Sequence, residues 1–155
     1  MENQAIFPGS FDPFTRGHEA VVLSALKLFD KVTIAIGVNS NKQYLFSLES
    51  RIEFIKQVFK QDSSKVEVVS FKGLTVDYCK ENNIDFIVRG LRNTRDFQYE
   101  YEIANMNKSL QSKIETIFIA TMPEHSAINS TIVREIYRNG GDVTSFIPEG
   151  SQLLK

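Results

Sequence analysis

Ala5-Ile6-Phe7-Pro8-Gly9-Ser10-Phe11-Asp12-Pro13-Phe14-Thr15-Arg16-Gly17-His18 runs from a short apolar segment through a Gly/Pro-rich turn into a segment of helical period. An apolar run that stops at Pro8-Gly9 reads as a buried strand. Downstream, Val22, Ala25, Leu26 and Phe29 fall at i, i+3, i+4 and i+7, one face of a helix. A polar loop between a buried strand and a helix is the first half of a βαβ unit. The rest of the chain repeats it.

Further apolar, β-branched runs occur at residues 32–38, 66–69, 86–88 and 116–120. Several are apolar almost without a break, as strands covered on both faces require. Between them, Leu48, Ile52, Ile55 and Phe59 mark a helical face behind Ser47, which suits an N-cap. Tyr99, Ile103, Met106 and Leu110 form another apolar stripe, and Ile132, Val133, Ile136 and Tyr137 a shorter one, ended by Asn139-Gly140-Gly141. Each stripe is expected to pack into the core. The alternation predicts one α/β domain over residues 1–155, Rossmann-like and doubly wound, with a parallel sheet of about five strands. In such sheets ligands bind beyond the carboxyl ends of the strands, near the point where strand order reverses. The loops after Phe7, Val38, Val69, Val88 and Ala120 are therefore where function is expected.

Composition narrows the classes. A chain of 155 residues with 42% hydrophobic and 24% charged residues buries a full core without disulfides or metal. Eighteen basic residues against 19 acidic ones leave a net charge of −1, which argues against generic duplex binding through a basic face. Cys79 has no partner for an internal disulfide, which suits a reducing compartment. The start, Met1-Glu2-Asn3-Gln4, has neither the basic nor the apolar stretch of a secretory signal, and no apolar run nears the ~20 residues of a membrane span. The sequons at Asn107 and Asn129 are then idle, and a cytoplasmic protein is expected.

The loops carry phosphate chemistry. In the first, Gly9 allows close backbone approach, Ser10 offers a hydroxyl, and Gly17-His18 sets an imidazole at a helix N-terminus, where N–H groups and the dipole favour an anion. It is neither a P-loop nor a G-x-G-x-x-G fingerprint, and Asp12 and Pro13 read foremost as turn formers. The second loop, Asn39-Ser40-Asn41-Lys42-Gln43, presents a lysine. The fourth, Arg89-Gly90-Leu91-Arg92-Asn93-Thr94-Arg95, sets three arginines in seven residues, matched to phosphate oxygens or else to Asp96, Glu100 or Glu102. The fifth, His125-Ser126-Ala127-Ile128-Asn129-Ser130-Thr131, gathers hydroxyls and amides at a helix start, as caps or as a nest for a triphosphate. His18 and His125 lack partners at zinc-ligand spacing, so no protein metal site is expected. Ser10 has no nucleophile elbow and Cys79 no nearby base. Phosphoryl or nucleotidyl transfer by positioning and charge stabilisation remains.

Gly9-Ser10-Phe11-Asp12-Pro13 followed by Thr15-Arg16-Gly17-His18 resembles the G-x-F-D-P…(H/T)-x-G-H signature of the nucleotidyltransferase superfamily. Ile128-Asn129-Ser130-Thr131-Ile132-Val133-Arg134 is similar to its second signature, I-S-S-T-x-x-R. Thr15, Lys42, Arg89-Gly90-Leu91-Arg92 and Asp96-Phe97-Gln98-Tyr99-Glu100 narrow the resemblance to the bacterial phosphopantetheine adenylyltransferase family, over essentially the whole chain. The resemblance implies transfer of AMP from ATP to 4′-phosphopantetheine, with Mg²⁺, giving dephospho-coenzyme A and pyrophosphate, in a homohexamer. It implies that His18 is catalytic and bonds the α-phosphate. Ser10, Lys42 and Arg89 would hold the acceptor phosphate, and Leu74 and Thr75 the pantetheine arm. Ser10, Phe11, His18, Gly90, Leu91, Arg92, Glu100, His125, Ser126, Ala127, Ile128, Asn129, Ser130 and Thr131 would hold ATP. The chain departs from the family at Ser10 (threonine), Asn129 (serine) and His125 (often tryptophan). Two rival readings remain: another acceptor, such as nicotinamide mononucleotide or glycerol 3-phosphate (the latter with CTP), and a nucleotide-binding regulator without chemistry.

Overall fold

Ile34, Ala35 and Ile36 are consecutive in a strand and all fully excluded from solvent. Successive strand residues point to opposite faces, so this strand is covered on both. In the computed structural model, which describes residues 2–153, it is β2 (Lys31–Gly37). The sheet is completed by β1 (Gln4–Gly9), β3 (Val66–Phe71), β4 (Phe86–Leu91) and β5 (Glu115–Ala120), all parallel, in the order β3-β2-β1-β4-β5. This is the expected doubly wound sheet, and each predicted strand coincides with an observed one, the second overrunning it by Val38.

Among the described residues the five α-helices are α1 (Arg16–Ala25), α2 (Leu48–Val58), α3 (Thr75–Glu81), α4 (Thr94–Leu110) and α5 (Ser130–Arg138). One face of the sheet packs Phe7, Ile34 and Ile36 against Val22 of α1 and Ile55 of α2. The other packs Ile6, Ala35 and Ile87 against Val76 and Cys79 of α3. Ser47 caps α2 by accepting from Ser50 N–H at 3.1 Å, and Asn139 closes α5 ahead of Gly140, whose φ of 76° is the left-handed turn the stop required. Among the described residues no helix is long and apolar enough to cross a membrane.

One expectation is corrected. The stripe on α4 does not enter this chain's core: Tyr99 and Met106 are each 64% exposed, Leu110 57% and Ile103 36%. The buried residue of α4 is the acidic Glu100, turned inward to meet an arginine. Of the α5 stripe, Val133 is buried, Ile136 and Tyr137 half-buried, and Ile132 exposed. Periodicity marked these faces as apolar but could not tell what covers them.

The strand order reverses between β1 and β4. Whereas β1 pairs with β2 at six successive positions, its pairing with β4 covers only Ala5↔Phe86 and Ile6↔Ile87. Beyond Ile6 and Ile87 the two strands part, and a gap opens at their carboxyl ends. Gly90 keeps β4 close to α1 there, since a Cβ at this position would lie 2.7 Å from Val21 Cγ2. Gly90→Ala is expected to cost about 1–3 kcal/mol through overpacking, read as a lowered urea midpoint. Val21→Ala should relieve part of that cost, so the double variant should lose less than the sum of the singles. Strict additivity would contradict the clash.

Candidate active site

The gap between β1 and β4 is a cleft of ≈ 350 Å³ floored by Phe7, Pro8 and Gly9 and walled by the starts of α1 and α5. Ser10, Phe11, His18, Lys42, Arg89, Gly90, Arg92, Glu100, Ile128, Asn129, Ser130 and Thr131 all line it. Four loops far apart in sequence therefore converge, as the reversal of strand order requires. A second cavity of ≈ 280 Å³ adjoins it on the side of α3 and α4. The two share Pro8, Gly9, Ser10, Arg89 and Glu100 as a common wall. Thr75 lines the second cavity. Leu74, Leu91, His125, Ser126 and Ala127 lie outside both linings: Leu74 is the exposed N-cap of α3, Leu91 ends β4, His125 ends a short 3-10 helix (Pro123–His125), and Ser126 and Ala127 form the turn after it.

His18 is the third residue of α1 and is locked by a reciprocal cap. Its N–H donates to Thr15 Oγ1 at 3.3 Å, and its Nδ1 accepts from Thr15 N–H at 3.0 Å. A ring nitrogen that accepts from a backbone N–H carries no proton, so the neutral imidazole has its hydrogen on Nε2. Phe11 lies edge-on to the ring at a centroid distance of 5.0 Å, and Phe7 and Phe14 flank it at 6.1 and 5.4 Å. Burial among these rings, then the positive charges of Arg89 and Arg92, lower the pKa of His18 to about 3. At neutral pH it is an uncharged donor.

Both arginines are braced. Arg89 forks onto the buried Glu100 (Nε to Oε2 2.8 Å, Nη2 to Oε1 2.6 Å), and its Nη1 donates to the Pro8 carbonyl at 2.5 Å. Arg92 forks onto Asp96 (Nε to Oδ2 2.9 Å, Nη2 to Oδ1 3.1 Å), and its Nη1 donates to the Ile128 carbonyl at 3.3 Å. Burial raises the Asp96 pKa, but the Arg92 bonds outweigh it and hold the carboxyl below its ordinary range. Three of five N–H groups on each guanidinium are engaged, which leaves two for a ligand. The partners weighed in the sequence and the phosphate-facing role are thus compatible. The carboxylates orient the forks.

Asn129 is the N-cap of α5, accepting from Ile132 N–H at 2.9 Å, and Ser130 Oγ donates to the Pro13 carbonyl at 2.8 Å. Asparagine in place of serine therefore keeps the helix start aimed at the cleft. Sequence reasoning quoted Arg134 as the close of the second signature but missed its place in the site: it lines the cleft and donates to the Asp12 carbonyl at 2.8 Å and to Thr131 Oγ1 at 3.2 Å. Its spacing of three from Thr131 put both on one helical face and could have revealed it. It also missed Phe71, Ala104, Asn107 and Thr116 in the second cavity, which no motif or spacing connects.

The His18 geometry has a spectroscopic consequence. Its side-chain ¹⁵N signals should report a neutral Nε2–H tautomer that does not titrate between pH 8 and about pH 5. Because folding lowers this pKa below the ordinary 6.5, protonation opposes the fold, and stability should decline as pH falls from 6.5 toward 3. A titration midpoint near 6.5 in the folded protein would contradict the assignment.

Comparison with known proteins gives the family and the fold. Residues 6–136 match the cytidylyltransferase-like family. The chain is 54% identical over 146 residues to phosphopantetheine adenylyltransferase of Flavobacterium psychrophilum, covering 94% of this chain and 95% of that one. It is 47% identical over 157 residues to that of Leptospira biflexa, covering 100% and 98%. Among solved structures, a bifunctional NMN adenylyltransferase/ADP ribose pyrophosphatase from Francisella tularensis superposes with a TM-score of 0.74 at 19% identity, over 96% of this chain and 46% of that one. Plasmodium falciparum nicotinic acid mononucleotide adenylyltransferase does so at 0.68 and 18%, over 95% and 91%. These structural likenesses bear on the fold, and the high full-length identities bear on the family: the chain belongs to the phosphopantetheine adenylyltransferases, within the cytidylyltransferase-like nucleotidyltransferases.

Proposed function

We propose that this chain carries AMP from ATP to 4′-phosphopantetheine across the wall shared by its two cavities. The observation that carries the reading is that shared wall. Two substrates held in adjoining cavities meet at Ser10 and Arg89, which border both. ATP occupies the larger cleft, its phosphates against the α5 N-terminus, His18 and Arg92. The pantetheine arm lies between α3 and α4, with its phosphate at Ser10, Lys42 and Arg89. A phosphate oxygen of the acceptor attacks the α-phosphorus in line. The bond from the α-phosphorus to the bridging oxygen breaks, and pyrophosphate leaves with the electron pair. No covalent enzyme intermediate forms.

His18 donates through Nε2–H to a non-bridging oxygen of the α-phosphate as charge builds there. A neutral, fixed donor needs no proton transfer and no reorganisation during the reaction. Arg92 and Arg89 add positive charge from orientations that Asp96 and Glu100 hold. Asp96 and Glu100 are spent on arginines and Asp12 on main-chain N–H groups, and no cluster of three or more potential ligands occurs among the described residues. In this reading Mg²⁺ would be held chiefly by the triphosphate itself and would supply neutralisation of its charge. A cytoplasmic hexamer completes the reading, and the exposed apolar face of α4 supports self-association.

His18→Ala should lower turnover by about two orders of magnitude, the order expected for one lost transition-state donor. The affinity for ATP, measured by calorimetry, should change only modestly. A pure nucleotide-binding regulator has no turnover to lose, and undiminished turnover in the variant would remove His18 from the chemistry.

A further inference from the structure

Two oppositely charged side chains lie buried beside the cleft, and both spend their hydrogen bonds on main chain. Asp12, 3% exposed, belongs to the loop after β1. Its Oδ2 accepts from Leu45 N–H at 2.8 Å and its Oδ1 from Phe46 N–H at 2.9 Å. Arg51, 4% exposed, belongs to α2. Its Nη1 donates to the Ser10 carbonyl at 2.7 Å, and its Nε is shared between the carbonyls of Phe46 and Ser47 at 3.2 and 3.4 Å. The Tyr44 ring stacks 4.1 Å from the Arg51 guanidinium.

The lacing runs in both directions. The carboxylate of the first loop holds the main chain of residues 45–46, and the guanidinium beneath those residues holds the main chain of the first loop. Buried charges are tolerated when hydrogen-bonded in this way, and removing one partner is costly. Because the bonds end on backbone atoms, they fix a path past Ser10: that of residues 45–47, the first of them three residues beyond Lys42. Across this gap Lys42 Nζ reaches Ser10 Oγ at 3.3 Å. Lys42 itself stands on an exposed stretch, so its approach depends on how that stretch is anchored.

We propose that Asp12 and Arg51 are positioning residues for Lys42, setting where its ammonium meets the acceptor phosphate beside Ser10. The inference rests on the reading that Lys42 serves the acceptor.

Double-variant kinetics test it. Lys42→Ala should lower kcat/KM for 4′-phosphopantetheine by about 10–100-fold, the range for a lost charge-assisted bond. Asp12→Asn and Arg51→Lys should each lower it by about tenfold, with the KM for ATP unchanged within about twofold. In the Lys42→Ala background, either second change should lower it by less than about twofold further, because coupled residues are not additive. Arg51→Lys keeps the charge and carries the cycle should Asp12→Asn fail to fold. The same tenfold loss in the Lys42→Ala background would overturn the positioning role, as would a lowered urea midpoint with unchanged acceptor kinetics. If Lys42→Ala alone leaves the acceptor parameters untouched, the reading of Lys42 falls and this inference with it.

Discussion

Pro8 stands in β1 with its carbonyl turned toward β4, and its nitrogen, on the same edge of the strand, has no hydrogen to give. A ladder between the two central strands cannot continue through such a residue. Pairing accordingly ends at Ile6 and Ile87, and Arg89 takes up the Pro8 carbonyl with its side chain instead. That substitution of a guanidinium for a backbone N–H opens the cleft, puts a positive charge on its floor and divides it from the second cavity. Glu100 fixes the guanidinium and in doing so turns the polar side of α4 inward. One missing hydrogen thus accounts for the gap, its charge and the orientation of a helix.

The electrostatics of the cleft follow from the same economy of partners. Positive groups gather where phosphates would lie, and Arg89, Arg92 and Arg134 are each braced by a carboxylate or a carbonyl that leaves some N–H groups free. The imidazole among them stays neutral because burial among the surrounding rings, and then the charges of Arg89 and Arg92, disfavour its protonation. Neutrality suits it to donate a hydrogen bond without trading a proton. The chemistry this permits is stabilisation of charge at phosphorus, and nothing in the arrangement calls for a nucleophile from the chain.

The strands were legible because burial on both faces writes itself as nearly unbroken apolarity, seen in residues 32–36, where Thr33 alone is polar. The first loop was legible because Gly9, Ser10 and His18 announce close approach, a hydroxyl and a helix-start imidazole within ten residues. Asp12 read correctly as a structural residue, although only the fold shows that it serves residues 45 and 46 rather than its own turn. The α4 stripe was misplaced because period 3.6 identifies a face that seeks cover without saying whether the cover comes from this chain. Of the second cavity only Ser10, Thr75 and Arg89 were legible, and Thr75 only through the family resemblance. Phe71, Thr75, Asn107 and Thr116 come from separate elements, and only the reversal of strand order brings them together.

The two cavities are proposed to hold ATP and a phosphopantetheine acceptor. Pyrophosphate release by the purified protein with ATP and Mg²⁺ tests that proposal most directly, comparing 4′-phosphopantetheine, nicotinamide mononucleotide and no acceptor, beside CTP with glycerol 3-phosphate. Release with ATP and 4′-phosphopantetheine alone is the predicted result. Release with a different acceptor, or silence in every combination while ATP still binds, would contradict it.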